Sequence, residues 1–411
     1  MSKRFSALGI LLIVVMLMAA CTPPAPQTPA ATQPPAVDTK GLTEAQIKWA
    51  QANEIGPFEK TQDWAAIEAA AVKEGKVVVY SASSRIKDIA ASFEKQYPGI
   101  KVEGYDIATA DLLTKVIQEQ KAGVYTADVI FSGDYVTQYN EMIDPPTKML
   151  WKFVPKELEA VLPAEARDKL MVHHYEMSLW IYNNEVYKES PIKNIWDLTK
   201  PEWKGKVVLN DPQKGAGNLN AIASLVQKPE LMAAAYKEAF GKDIVLEAGV
   251  PNAAYQWIKD LLKNDPVLTS SSGDAATAVG TKAQKNPPVG LAASGKLRNA
   301  ASGDLVFAGA WDLKPFGGVI QPFMVSISNQ STHPNAAKLM IKWMMGDKAG
   351  GQGYTPFYVP GDFNPRTDVP PVAGMKPFSE IQKNTWMVDV AFVYKNAIQV
   401  RDFWVANLTK K

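Results

Sequence analysis

The chain has 411 residues, long enough for two domains of ordinary size. Apolar residues make up 46% and charged residues 21%, the balance of a globular protein and not of a disordered or fibrous one. Basic residues number 44 and acidic residues 42, so no charge excess points to nucleic acid or an anionic membrane surface as partner.

The N-terminus opens with Lys3 and Arg4, an apolar run from Leu8 to Met18, and the small residues Ala19 and Ala20. These are the three regions of a secretory signal, and the apolar run is shorter than the roughly 20 residues of a membrane span. Cys21, the only cysteine, follows directly. A cysteine in that place resembles the lipobox of bacterial lipoproteins, which implies that residues 1–20 are removed and Cys21 is lipidated; Met18 stands where Leu is commoner. With Cys21 so used, no disulfide and no thiolate site remain. Residues 21–40 are dominated by Pro, Ala, Thr and Gln and read as a stalk. Residues 41–75 form a helical extension, with Ile47, Trp49, Trp64 and Ile67 spaced for packing.

Beyond Gly75, strands and helices alternate. Strands are expected at Lys76–Tyr80, Lys101–Gly104 and Ala127–Phe131, with helices at Ile86–Tyr97 and Ala110–Ala122. Such alternation predicts βαβ units, a largely parallel sheet and an α/β fold, with ligands at the carboxyl ends of strands. His173–Asn183 reads as one long aromatic strand, and Gly317–Ser328 as a second. A helix from Asn218 to about Val226 follows the strand end at Asp211, and Pro334–Gly346 is a helix with Ala336, Met340, Trp343 and Met344 on one face.

Three segments, IWDLTKPEWKGKVVLNDP at 195–212, PFGGV at 315–319 and PNAAKLMIKWMMGDKAGGQ at 334–352, follow the signal, stalk and βαβ entry in order. From about Val77 to Gln352 the chain resembles the substrate-binding proteins of bacterial ABC importers, in the ferric-iron-binding-like branch of type 2 periplasmic binding proteins. The resemblance implies two α/β lobes joined by two crossover hinge strands, near His173–Asn183 and Gly317–Ser328. It places one lobe at 76–176 and 318–375, the other at 177–317, and a helical segment at 376–411 packing on both. A solute would bind in the cleft, and closure would present the protein to a permease in the cytoplasmic membrane. Iron-binding members use adjacent tyrosines, shortly before the return strand. The matching stretch here, Pro288–Ser294, has none, and no Tyr-Tyr pair occurs in the chain.

Candidate ligand contacts sit mainly at strand ends. Ser81, Ser83, Ser84 and Arg85 precede a helix and suit a phosphate or carboxylate, or Ser84 simply caps that helix while Arg85 is solvated. Ser132 and Tyr135 add a hydroxyl and a phenol. Asp211, Gly215, Gly217 and Asn218 form a similar junction in the second lobe, where the glycines allow close approach or only make the turn. Ser270, Ser271, Ser272 and Asp274 offer hydroxyls and a carboxylate, with Asp274 equally placed as a cap. Trp311 and Asp312 stack on and hydrogen-bond a ligand, or Trp311 is core. His173 and His174 are adjacent on a strand, so alternation directs them to opposite faces and away from one metal ion.

No nucleophile elbow, phosphate loop or His-Glu-x-x-His pair appears, so no enzyme chemistry and no cofactor are expected. The expectation is a monomeric, lipid-anchored extracytoplasmic receptor for a small anionic organic solute, phosphorylated or carboxylated. Ferric iron held by dispersed oxygens such as Tyr80, Tyr105, Tyr135 and Tyr182 is the alternative ligand. An exported enzyme or adhesin is the remaining class.

Overall fold

The computed structural model describes residues 39–214 and 216–408; Cys21 and the signal and most of the stalk lie outside them. The first lobe's parallel strands are β1 (Lys76–Ser81), β2 (Lys101–Asp106) and β3 (Val129–Ser132). Two long strands are β4 (Met171–Tyr182) and, late in the chain, β8 (Gly318–Ser328). The second lobe adds β5 (Val207–Asn210), β6 (Val267–Thr269) and β7 (Val289–Ala293). The strand order is β2-β1-β3-β8-β4-β7-β5-β6, so the antiparallel pair β8–β4 joins the two sets. Each set is otherwise built of parallel pairs. This is the two-lobed α/β arrangement with two crossover strands that the sequence predicts.

The helices are amphipathic where they cover a sheet face. α1 (Glu44–Ala52) and α2 (Trp64–Glu74) lead into β1, and α2 ends on Gly75 in the left-handed conformation. α3 (Ile86–Gln96) buries Ile86, Ile89 and Phe93, and α4 (Thr109–Lys121) follows β2. In the second lobe come α5 (Ala216–Val226), α6 (Pro229–Phe240), α7 (Ala253–Lys263) and α8 (Ser272–Gly280). α9 (Pro334–Met345) packs on α2, and α10 (Val390–Leu408) touches α5 and α7. Among the described residues no helix is long and apolar enough to cross a membrane.

The segment that carries the resemblance most specifically is a folding device. Asn194 Oδ1 accepts from Trp196 N at 3.0 Å, and Asp197 Oδ2 accepts from Asn194 N at 2.9 Å, closing a capping box. Trp196 Nε1 donates to Met232 O and Trp257 Nε1 to Ile195 O, each at 2.9 Å. Two fully buried indoles thereby satisfy their donors while filling the second lobe's core.

At one place the alternation expected of a strand fails. The β8–β4 register shifts between Phe323 and Met324, since Phe323 faces His174 while Met324 faces Val172. His173 is the extra residue of this bulge, and its Nδ1 lies 2.9 Å from His174 Nδ1. The two imidazoles meet, where simple alternation sends them to opposite faces.

Candidate functional site

Opposite residues of an antiparallel pair share a face. Gln321 pairs with Glu176, and both are partly exposed in strands that are otherwise largely buried. Segments from both lobes converge on this pair. Gln321 Nε2 donates to Ser178 Oγ at 2.6 Å and to Gly217 O at 2.9 Å, which pins the first turn of α5 to the crossover strands. Arg85, at the loop between β1 and α3, reaches the same floor from the first lobe, with Nη2 3.5 Å from Glu176 Oε1.

Arg85 is held on several sides. Nη1 donates to an oxygen of the fully buried Asp362 in a short ion pair and to Pro356 O at 3.2 Å. Its guanidinium carbon stands 3.8 Å from the centre of the Phe357 ring. Asp362 belongs to a tail segment stitched across the lobes: Ser294 Oγ donates to Gly361 O at 2.6 Å, and Phe363 and Tyr175 exchange backbone hydrogen bonds. Burial pushes the Asp362 carboxyl up; Arg85 pulls it back, and Glu176 adds to the push. Burial also acts to raise Glu176, but His174 and Arg85 outweigh it and hold that carboxyl at about 2.

His174, Glu176 and Asp362 each offer a ligand atom, all within 4.8 Å of one another, the spacing of a metal site. Arg85 already bridges the two carboxylates, and Lys296 and Arg298 act electrostatically on both. Three cations against two carboxylates make this a poor place for a further cation.

Lys296 and Arg298 follow the end of β7. Burial lowers both pKa values; Arg298 and Arg85 lower that of Lys296 further and Arg85 that of Arg298, while Glu176 and Asp362 offset part of the shift in each. Arg298 donates to Gly295 O, and neither residue has a carboxylate within ion-pair distance among the described residues. A Cβ on Gly273 would lie 3.8 Å from Lys296 Nζ, so the ammonium sits beside the first turn of α8. Ser272 Oγ accepts from Ala293 N at 2.7 Å and fixes that turn against β7.

Other sequence candidates are placed as follows. Ser81 is buried, and its Oγ closes a turn on Ser83, donating to its carbonyl at 2.8 Å; Ser84 is exposed. Ser132 Oγ accepts from Asp134 N at 3.3 Å, and the neighbouring Gly133 lies against the Phe323 ring. Tyr135 is buried in the core, where desolvation pushes its phenol well up. Asp211 Oδ1 accepts from Gln213 N, and Asn218 Nδ2 donates to Asn210 O at 2.8 Å. Ser271 caps α8 by accepting from Asp274 N, while Ser270 and Ser271 both donate to the exposed Asp274. Trp311 and Asp312 line a separate cavity of about 270 Å³ with Met375, Lys376 and Asn384. Gly215 lies outside the described residues. The structure thus brings Arg85, Gly217 and Ser272 around one floor.

Glu176, Lys296, Arg298 and Asp362 are not among the candidates drawn from the sequence. Glu176 is the only charged acid in the run Met171–Tyr182, a visible signal in a buried strand. Lys296 and Arg298 lie just beyond the stretch matched to the tyrosine pair, so basic groups stand near where phenols were sought.

A family model for bacterial extracellular solute-binding proteins matches residues 88–372. No curated protein matches the chain. Among solved structures, iron-bound HitA from Pseudomonas aeruginosa is similar with a TM-score of 0.60 and 17% identity, over 80% of this chain and 99% of that one. The periplasmic binding protein AfuA from Actinobacillus pleuropneumoniae, with fructose-6-phosphate bound, gives 0.61 and 18% over 82% and 99%. The ferric binding protein from Campylobacter jejuni gives 0.57 and 17% over 80% and 99%. At these identities the likeness carries the fold, that of a two-lobed periplasmic binding protein. With the family match covering more than half of its length, the chain belongs to the bacterial extracellular solute-binding proteins, the extracytoplasmic receptors of ABC importers.

Proposed function

We propose that this receptor binds a small anionic organic solute, phosphorylated or carboxylated, and delivers it to its permease by hinge closure. The lobes are 76–176 with 318–375, and 177–317, backed by the helical segment 376–411; the protein acts as a monomer tethered through lipidated Cys21. The observation that carries this is the pair Lys296 and Arg298, both half-buried without a carboxylate partner. Desolvated cations that Glu176 and Asp362 compensate only in part, from beyond ion-pair distance, are costly, and an anion arriving between the lobes repays that cost with charge-assisted hydrogen bonds. Arg85 is committed to Asp362 and Glu176, so its part is to complete the positive field and not to grip the solute alone. The nearby first turn of α8, capped by Ser271, contributes its dipole.

Ferric iron is the second reading, favoured by the ligand spacing of His174, Glu176 and Asp362. Against it, burial raises the phenols of Tyr80, Tyr135 and Tyr182, opposite to the phenolate that ferric iron requires. Titration calorimetry of Lys296→Ala and Arg298→Ala tests the choice. The proposed function requires each to weaken binding of a phosphorylated or carboxylated solute at least tenfold, about 1.4 kcal/mol. Unchanged affinity in both variants removes them from the site.

A further inference from the structure

We propose that Glu176 makes the cleft selective for anions that also carry a hydroxyl or ammonium donor, and against solutes bearing a second anionic group. This rests on the anion-receptor function above and narrows its substrate class. Glu176 lies at the centre of a crossover strand, where both lobes meet. Its side chain is 24% exposed, whereas the Asp362 side chain is sealed at 0%. The open face of the acidic pair is therefore Glu176 alone.

Its contacts leave acceptor capacity unused. Arg85 Nη2 at 3.5 Å and His174 Nε2 at 3.9 Å both approach the same oxygen, Oε1, at distances longer than a good N–H···O bond, and the sealed Asp362 carboxyl is the third side chain hydrogen-bonded to this carboxylate. An ionised carboxylate accepts about four hydrogen bonds. Its register partner Gln321 has its amide nitrogen committed to Ser178 Oγ and Gly217 O, so only its carbonyl oxygen remains to offer. The floor consequently presents acceptors, while Lys296 and Arg298 present donors and positive charge. A solute that satisfies both carries an anionic head and, a few bonds away, a donor. A second anion placed over Glu176 meets a like-charged carboxylate, whose ionised form His174 and Arg85 favour.

Titration calorimetry on the mature chain tests this with two probe series. One is phosphoethanolamine, glycerol phosphate and phosphoglycolate; the other is β-alanine, hydroxypropanoate and succinate. In at least one series the two donor-bearing probes bind at least tenfold more tightly than the doubly anionic one. Glu176→Gln narrows that ratio to about threefold or less, by weakening the first two and tightening the third. A doubly anionic probe that binds the unaltered protein as tightly as the others overturns the proposal, and this comparison needs no variant to fold. An unchanged ratio in a Glu176→Gln protein that melts normally also overturns it. Binding that depends on Lys296 but does not discriminate leaves the anion receptor standing and removes only the selectivity. No binding by any of the six probes, with Lys296→Ala inert, overturns both.

Discussion

His173 and His174 face each other through their Nδ1 atoms at 2.9 Å inside the core of the first lobe, at the bulge in the crossover strand. His173 Nε2 lies 3.0 Å from Met344 O and must donate to it. Assigned from that pattern, His173 Nδ1 accepts and His174 Nδ1 donates.

This arrangement keeps His173 neutral, because burial first and the neighbouring His174 next push its pKa well down. The unfolded histidine takes up a proton near pH 6.5 and the folded one does not, so stability is full above about pH 6.5 and falls below it. The slope approaches about 1.4 kcal/mol per pH unit for one group. Urea unfolding of the unaltered protein and of His173→Gln, between about pH 7 and pH 5, isolates this contribution. The expected result is a shallower loss in the variant; parallel curves exclude His173 as its source.

Arg85→Met should destabilise strongly. It leaves the sealed Asp362 and the partly exposed Glu176 side by side without their cation, and stranding a buried charge in this way costs about 3–5 kcal/mol. Adding Asp362→Asn removes one of the stranded charges and should recover part of the loss. Calorimetric melting of the single and double variants checks both steps, and an Arg85→Met protein of unaltered stability contradicts the ion-pair role.

Gly361 has φ +93°, and a Cβ there would stand 1.8 Å from Ser294 O. Gly361→Ala combines a backbone conformation foreign to alanine with a collision against the second lobe's strand end. A loss of about 3 kcal/mol is expected in denaturant unfolding. A loss below about 1 kcal/mol would show that the tail segment relaxes without strain.

Asn194→Ala removes the cap on Trp196 N and the donor to Ala235 O. A cap is worth about 1 kcal/mol, and the lost side-chain hydrogen bond to a carbonyl that keeps its helical partner about 1 kcal/mol more. The variant should unfold earlier in urea while solute affinity stays unchanged, since the segment builds the lobe and not the cleft. Weakened affinity at unaltered stability is the contrary result.

Much of the fold is legible in the residues themselves. The apolar runs at β4 and β8 are long enough to announce crossover strands, and β1 to β3 follow from short apolar segments punctuated by helices. The site is legible only in part. Arg85 and Asp362 are 277 positions apart and Arg85 and Glu176 are 91 apart, so their meeting depends on strand register and a returning tail that no local pattern encodes. The meeting of His173 and His174 depends on a bulge, which adds one residue to a strand without a mark in the sequence. Lys296 and Arg298 could have been found, because they lie next to the stretch where the resemblance directs attention.

The melting midpoint of the protein tests the anion-receptor function most directly, since a ligand that binds the folded state raises it. Phosphorylated and carboxylated solutes should raise the midpoint of the unaltered protein and raise that of Lys296→Ala markedly less at the same concentration. A midpoint raised by ferric citrate, and by none of the organic anions, would contradict it.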